Sequence, residues 1–282
     1  GITINNALWS DRFGLASMFG AALTVVALVD WLVQQQRRRT VVLAILVAVA
    51  AGWHIRYTNE YRLSWQQQTG FYRQLAWRVP ALEPRTAILT TNELFTYMGY
   101  YPTSYALNNL YLPPADTRFL NTWLFGLFKD FGDRIPQLLA GMEMRDKHFD
   151  AVFVGQSTDS LVVDYEPEQG QCLWVLRPED APNKLIPDLT RAALPLSNSS
   201  RIHAEGEVSV SDFLNQMGVD LSPDWCYYYQ KAELARQTSD WEGVLLQWEA
   251  AQQAGMQPHS GYELIPFIEA NAHTGDWQAA SD

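Results

Sequence analysis

The run that decides the fold is FGLASMFGAALTVVALVDWLVQQQRRRTVVLAILVAVAAGWHI, residues 13–55. Leu15 to Val29 carries no charge, Gln34 to Arg39 forms a polar and triply basic knot, and Thr40 to Ile55 is apolar again. A helix needs about 20 apolar residues to cross a bilayer, with about 17 as a lower limit. The first segment reaches that length once Phe13 and Trp31 to Val33 are counted, and the second once Trp53 and His54 are included. The pair reads as a transmembrane hairpin. The alternative, two buried helices of a soluble core, meets three objections. A soluble helix keeps a polar face, and Leu43 to Ala51 has none. Trp9, Trp31 and Trp53 fall at segment ends, where indoles prefer the headgroup layer. Arg37, Arg38 and Arg39 sit in a tight turn, as in a cytoplasmic loop. The same rule puts residues before Asp11, and everything after Arg56, outside.

The remainder has a different character. The chain of 282 residues has a formal net charge of −11, and its part after residue 55 holds 16 basic and 29 acidic residues. Phosphate contacts need clustered Lys and Arg, so nucleic-acid binding is disfavoured, as is polybasic attachment to anionic lipid. Anchoring falls to the hairpin, with the lipid bilayer as its partner. Cys172 and Cys226 are the only cysteines. A disulfide between them is permitted outside the cytoplasm, but their neighbourhoods do not bring them together, and two buried free thiols are the default reading. Both chain ends read as cut, which suggests a C-terminal piece of a larger multi-pass protein.

The expected class is α+β, in four parts: the hairpin over 1–55, a small α/β domain over 56–190, a linker over 191–221 and helical repeats over 222–282. Arg56 to Val79 has helical periodicity and should continue the second membrane helix outward. Thr86 to Thr91 reads as a buried strand, and Asn92 as the cap of a short helix through Met98. Phe119 to Phe131 is apolar but too short to span a membrane; one helical face through Trp123, Leu124 and Leu127 would cover the core, in preference to lying on the outer membrane surface, since the basic polar face of an interfacial helix is missing. Asp150 to Val154, Leu161 to Tyr165 and Cys172 to Leu176, separated by short turns, predict an antiparallel meander.

At the C-terminus, Ser222 with Pro223 predicts a helix start, Asp240 a second, and Ser260 with Glu263 a capping box for a third. Shifting the chain by 36 residues aligns Asp240-Trp241 with Asp276-Trp277 and Glu233 with Glu269. That period is near the ~34 residues of tetratricopeptide helix pairs. The resemblance covers residues 222–282, departs from the usual pattern at Pro266, and implies a groove for a protein partner.

Chemistry is sparse. The five histidines are isolated in sequence, so no metal pair is expected, and no phosphate loop or nucleophile elbow calls for a cofactor. Asp130 with Asp133, and Glu166 with Glu168, read as solvated loop carboxylates. The binding candidates are Tyr97, Tyr101, Tyr105, Asn108 and Tyr111, since aromatic faces beside amides suit a saccharide; interfacial anchoring and ordinary half-buried packing are the other readings. Asp11 and Arg12 form a candidate ion pair at the outer mouth of the first membrane helix, which can also hold an anionic headgroup.

Asp11-Arg12-Phe13, with Ser17 and a membrane helix following, resembles a segment of multi-pass glycosyltransferase-like proteins of the GT-C type; Ala16 stands where that signature commonly has proline. The resemblance implies further membrane helices, a polyprenyl-linked sugar as substrate, and a catalytic carboxylate in an outer loop upstream of Gly1. This chain would then hold no catalytic centre. A non-enzymatic membrane scaffold with the same architecture is the competing expectation.

Overall fold

The computed structural model describes residues 15–91, 93–111, 118–204 and 210–281, so Asp11 and Arg12 lie outside the described residues. The chain is mixed helix and sheet and divides into two compact units, Gly1–Trp65 and Gln66–Asp282.

The first unit contains α1 (Leu15–Leu32) and the beginning of α2 (Gln36–Arg78). α2 is long and apolar enough to cross a membrane, and none of its apolar window is buried. The described stretch of α1, Ser17–Leu32, is apolar but shorter. Phe19, Leu23, Val26, Ile45, Val47 and Val49 are all exposed, an apolar surface far beyond the scattered exposure of a soluble protein. Between the helices, Arg39 pairs with Asp30 and donates from Nε to the Val33 carbonyl at 3.3 Å. Arg37 and Arg38 stay exposed.

In the second unit, the end of α2 carries Phe71, Tyr72 and Leu75, and Val79 follows it, all four fully buried. β1 (Ala81–Leu82), β2 (Thr86–Thr90), α3 (Tyr100–Leu110), β3 (Phe119–Leu120) and β4 (Thr122–Gly126) follow. Next come α4 (Ile135–Leu139), β5 (Glu143–His148), β6 (Ala151–Gln156), β7 (Ser160–Asp164), β8 (Trp174–Leu176), α5 (Asp188–Ala193), β9 (Ile202–His203) and α6 (Val210–Gln216). The helices α7 (Trp225–Gln237), α8 (Trp241–Gln253), α9 (Ile265–Thr274) and α10 (Trp277–Ser281) complete it. The main sheet runs β4-β2-β7-β8, with β2 parallel to both β4 and β7, and β8 antiparallel to β7. A second sheet runs β3-β6-β5, and β1 pairs with β9.

β2, β4 and β7 are buried at every position, as expected of parallel strands covered on both faces. Alternate residues serve two cores. Ala87, Leu89, Trp123, Phe125 and Val162 face one, shared with Phe153, Trp225, Val244 and Phe267. Ile88, Leu124, Leu161 and Val163 face the other, shared with Phe71, Leu75 and Leu107. Each such fully buried side chain contributes about 1.5–3 kcal/mol.

Several expectations are corrected here. The antiparallel meander does not form: β6 and β7 lie in different sheets, and of the three strands in it only β7 and β8 pair with each other. At the bend between them Ser157 N donates to the Met142 carbonyl and Asp159 N to that of Gln156, so the chain steps across rather than folding back. Phe119 to Phe131 is not a helical face but β3, β4 and a short π-helical turn, Leu127–Phe131. A short apolar run does not separate a buried strand from a buried helix by periodicity alone. Asn92, the expected cap, lies outside the described residues, and no helix occupies 93–99. The 191–221 segment is more than a linker, because Leu194, Leu196, Ile202 and Leu214 are buried in the two cores. α7 is capped by Asp224, whose Oδ1 accepts from Tyr227 N at 3.1 Å, and not by Ser222. Asp240 caps α8 by accepting from Gly243 N at 2.9 Å. Ser260 makes no side-chain cap; a single 3-10 turn, Gly261–Leu264, precedes α9 with Pro266 in its first turn.

Asn108 locks α3 to the sheet. Its Nδ2 donates to the carbonyls of Ser104 and Thr122, at 2.7 and 2.8 Å, and its Oδ1 accepts from Asn121 N and Thr122 N. Substitution Asn108→Ala strands these backbone groups in a buried site and should cost about 3 kcal/mol. Thermal melting of the detergent-solubilised chain should show a loss of roughly 10 °C, with the exposed control Gln252→Ala unchanged.

Candidate functional site

The order β4-β2-β7 means that the chain leaves β2 to one side and returns to its other side. In open α/β sheets, ligands bind at the carboxyl ends of the strands flanking such a reversal. Here that place is a crevice between β2 and β7, lined by Thr90, Thr91, Glu93, Leu94, Val163, Asp164, Tyr165 and Glu166. Beside it lies a cavity of about 390 Å³ that also takes in Gln67, Phe95, Thr96 and Glu168.

The residues around it are held from several elements. Tyr165 donates its hydroxyl to the Gln67 carbonyl at 3.2 Å. Lys129 reaches Glu93 at 3.3 Å while lying 4.4 Å above the Tyr100 ring. Tyr100 in turn packs so tightly on Gly126 that a Cβ there would meet its hydroxyl at 2.0 Å. Asp130 Oδ2 accepts from Gly126 N at 2.7 Å. Burial pushes the carboxyl of Asp130 up, against the pull of that N–H. Burial likewise raises Asp164, against the opposing hydrogen bond from Gln171. Glu166 is raised by desolvation, with Asp164 and Glu168 adding like-charge repulsion. The lining offers carboxylates, threonine hydroxyls and an amide, with no Arg or Lys. Such a surface accepts hydrogen bonds from a polyhydroxylated or cationic group and repels phosphate.

The five predicted binding residues do not share this crevice. Tyr101 stacks on His148 with ring centroids 4.0 Å apart, and Tyr105 meets the same ring edge-on at 6.2 Å while its hydroxyl donates to the His148 carbonyl. Phe149, 83% exposed and with φ at 51°, extends this aromatic patch at the β5–β6 tip. Asn108 is consumed by the clamp described above, and the Tyr111 hydroxyl contacts the Leu75 carbonyl at 3.5 Å. Tyr97 lies in the turn before α3. Only Tyr101 and Tyr105 therefore present a common surface.

Cys172 and Cys226 are joined as a disulfide with Cα atoms 5.5 Å apart, where free thiols were the default expectation. The bond links the segment entering β8 to the first turn of α7 across 54 residues; closing a loop of that length stabilises a fold by about 4 kcal/mol in the chain-entropy account. His259 is not isolated in space: its Nδ1 lies 3.9 Å from each sulfur. Glu263, fully buried, accepts from Cys172 N at 3.0 Å, from the Trp225 indole at 2.6 Å and from His259 N at 2.9 Å. Sequence reasoning missed this cluster because its members are far apart in the chain. It also missed the crevice, although the unbroken apolar runs Ala87–Leu89 and Leu161–Val163 carry the signal of parallel central strands.

No family model, curated protein or solved structure matches this chain. The site must be read from its own geometry.

Asp164 supplies a test of the electrostatics. A carboxyl raised by burial contributes stability below its unfolded pKa and loses it as pH rises through the folded value. Asp164→Asn should therefore raise the melting temperature at pH ~7 and leave it unchanged at pH ~3, below the ordinary aspartate value of about 3.9.

Proposed function

We propose that this chain is a membrane-anchored, extracytoplasmic module of a multi-pass glycosyltransferase-like protein, carrying no catalytic centre of its own. The observation that carries the reading is the pairing of two features. Arg37, Arg38 and Arg39 open α2 directly after the turn that follows α1, with Arg37 and Arg38 exposed, and Cys172 and Cys226 of the second unit are joined as a disulfide. Positive charge favours the cytoplasmic side, and disulfides persist in oxidising compartments. Both features favour a bulk domain outside.

The crevice between β2 and β7 fits this role as the place where a sugar or its acceptor is held. Its carboxylates and hydroxyls suit hydroxyl donors, whereas the phosphate of a polyprenyl carrier needs cationic groups from elsewhere. Tyr101 and Tyr105 with His148 form a separate aromatic face. The helices α7 to α10 pack in succession and, in the tetratricopeptide-like reading, would present a surface to a protein partner. A specific observation also favours the scaffold reading: a groove of about 730 Å³, lined by Leu245, Trp248, Phe267 and Ile268, opens among α8, α9 and α10.

Topology is the deciding measurement. With both native cysteines bonded, an introduced thiol is the only reactive one. Leu185→Cys, at a position 68% exposed, should be labelled by a membrane-impermeant maleimide in intact cells. Gln36→Cys should be labelled only after permeabilisation. The reverse pattern overturns the orientation and the proposal with it.

A further inference from the structure

We infer that Cys172, Cys226 and His259 form a redox-gated site for a borderline-soft divalent cation of the zinc class, closed as the disulfide and opened by a thiol reductant. The two sulfurs and the imidazole nitrogen all lie within 4.8 Å of one another. A tetrahedral site with Zn–S near 2.3 Å and Zn–N near 2.05 Å places S and N about 3.6 Å apart and the two sulfurs about 3.8 Å apart. His259 Nδ1 already stands 3.9 Å from each sulfur. The sulfurs must separate, each by about 1 Å, and the imidazole must close on them by about half an ångström, both within reach of side-chain rotation.

The scaffold that holds the ligands does not depend on the S–S bond. Glu263 binds the backbone N–H of Cys172, the backbone N–H of His259 and the indole of Trp225, the neighbour of Cys226. One buried carboxylate thus fixes all three ligand-bearing segments, an outer-shell arrangement of the kind that orients metal ligands. Cys172 and Cys226 are buried while His259 is exposed. The fourth coordination position therefore lies on the solvent side, open to water or an exchangeable ligand.

The chemistry balances with a thiol as the co-reactant. Two equivalents of RSH reduce the disulfide to two cysteine thiols and yield RSSR. Binding of the dication then releases both thiol protons, leaving two thiolates and neutral His259 as ligands. Oxidation by a disulfide-class oxidant reverses the sequence and expels the cation.

Cobalt(II) titration of the full chain in detergent tests this, because thiolate-to-cobalt charge transfer and tetrahedral ligand-field bands report the ligand set directly. The reduced chain should take up one equivalent of cobalt with both absorptions, displaced by zinc, and the oxidised chain should show neither. His259→Ala leaves the backbone N–H and its bond to Glu263 in place, so it should preserve the melting temperature of the oxidised chain. It should weaken cobalt binding by about tenfold or more, at least the cost of losing an outer-shell partner. Absence of the charge-transfer band in the reduced wild type overturns the site. Equal cobalt binding by the oxidised chain, or unchanged affinity in His259→Ala, does so as well.

Discussion

The buried carboxylate of Glu263 is the constraint on which the second unit's assembly turns. A buried polar group is tolerated only when hydrogen-bonded, and here the donors come from three distant places in the chain. Cys172 belongs to the approach to β8, Trp225 opens α7, and His259 precedes α9. Removing any one donor leaves a buried carboxyl oxygen short of a hydrogen-bond partner. The α/β sheet and the helices are thereby coupled in one polar network, with the disulfide as a covalent parallel to it. Gln230 repeats the theme nearby, donating to the Leu173 carbonyl at 2.6 Å.

Two-sided burial of the central strands is the second organising fact. Ile88 and Leu89 point to opposite cores, and so do Leu161 and Val162. The end of α2 and α3 supply one cover, while α7 to α9 contribute to the other. This arrangement explains why polar side chains that enter the sheet region, such as Asn108 and Ser104, are fully bonded. It also explains why the accessible chemistry collects at strand ends, where the two covers part.

Much of this was legible from the residues, and the failures have physical causes. The apolar character of α1 and of the first part of α2, the continuation of α2 past Arg56, the β2 strand and the Asp240 cap follow from length, periodicity and capping chemistry, all of them local. The Phe119–Phe131 segment was misread because Trp123, Leu124 and Phe125 are apolar whichever way they face. The meander was misread because turn length says nothing about a strand whose neighbour comes from another part of the chain: β7 pairs with β2, not β6. Glu263 was read as a helix cap from its spacing to Ser260, but its carboxylate is claimed by long-range donors. The same limit hid His259 beside the sulfurs and dispersed the five aromatic and amide candidates. Tyr101 and Tyr105 share a face through helical spacing, whereas Asn108 was recruited by the backbone of β4.

Gly126 shows how narrow the tolerance is where α3 crosses the end of β4. The Tyr100 hydroxyl stands where any side chain at this position would begin. The position therefore favours glycine for want of room, yet it carries no chemistry of its own. An invariant glycine there would report a packing exclusion made by a tyrosine 26 positions earlier. Reading it as a hinge or a catalytic loop would be a mistake. A Cβ at 126 requires the Tyr100 ring to swing away or a smaller side chain at 100.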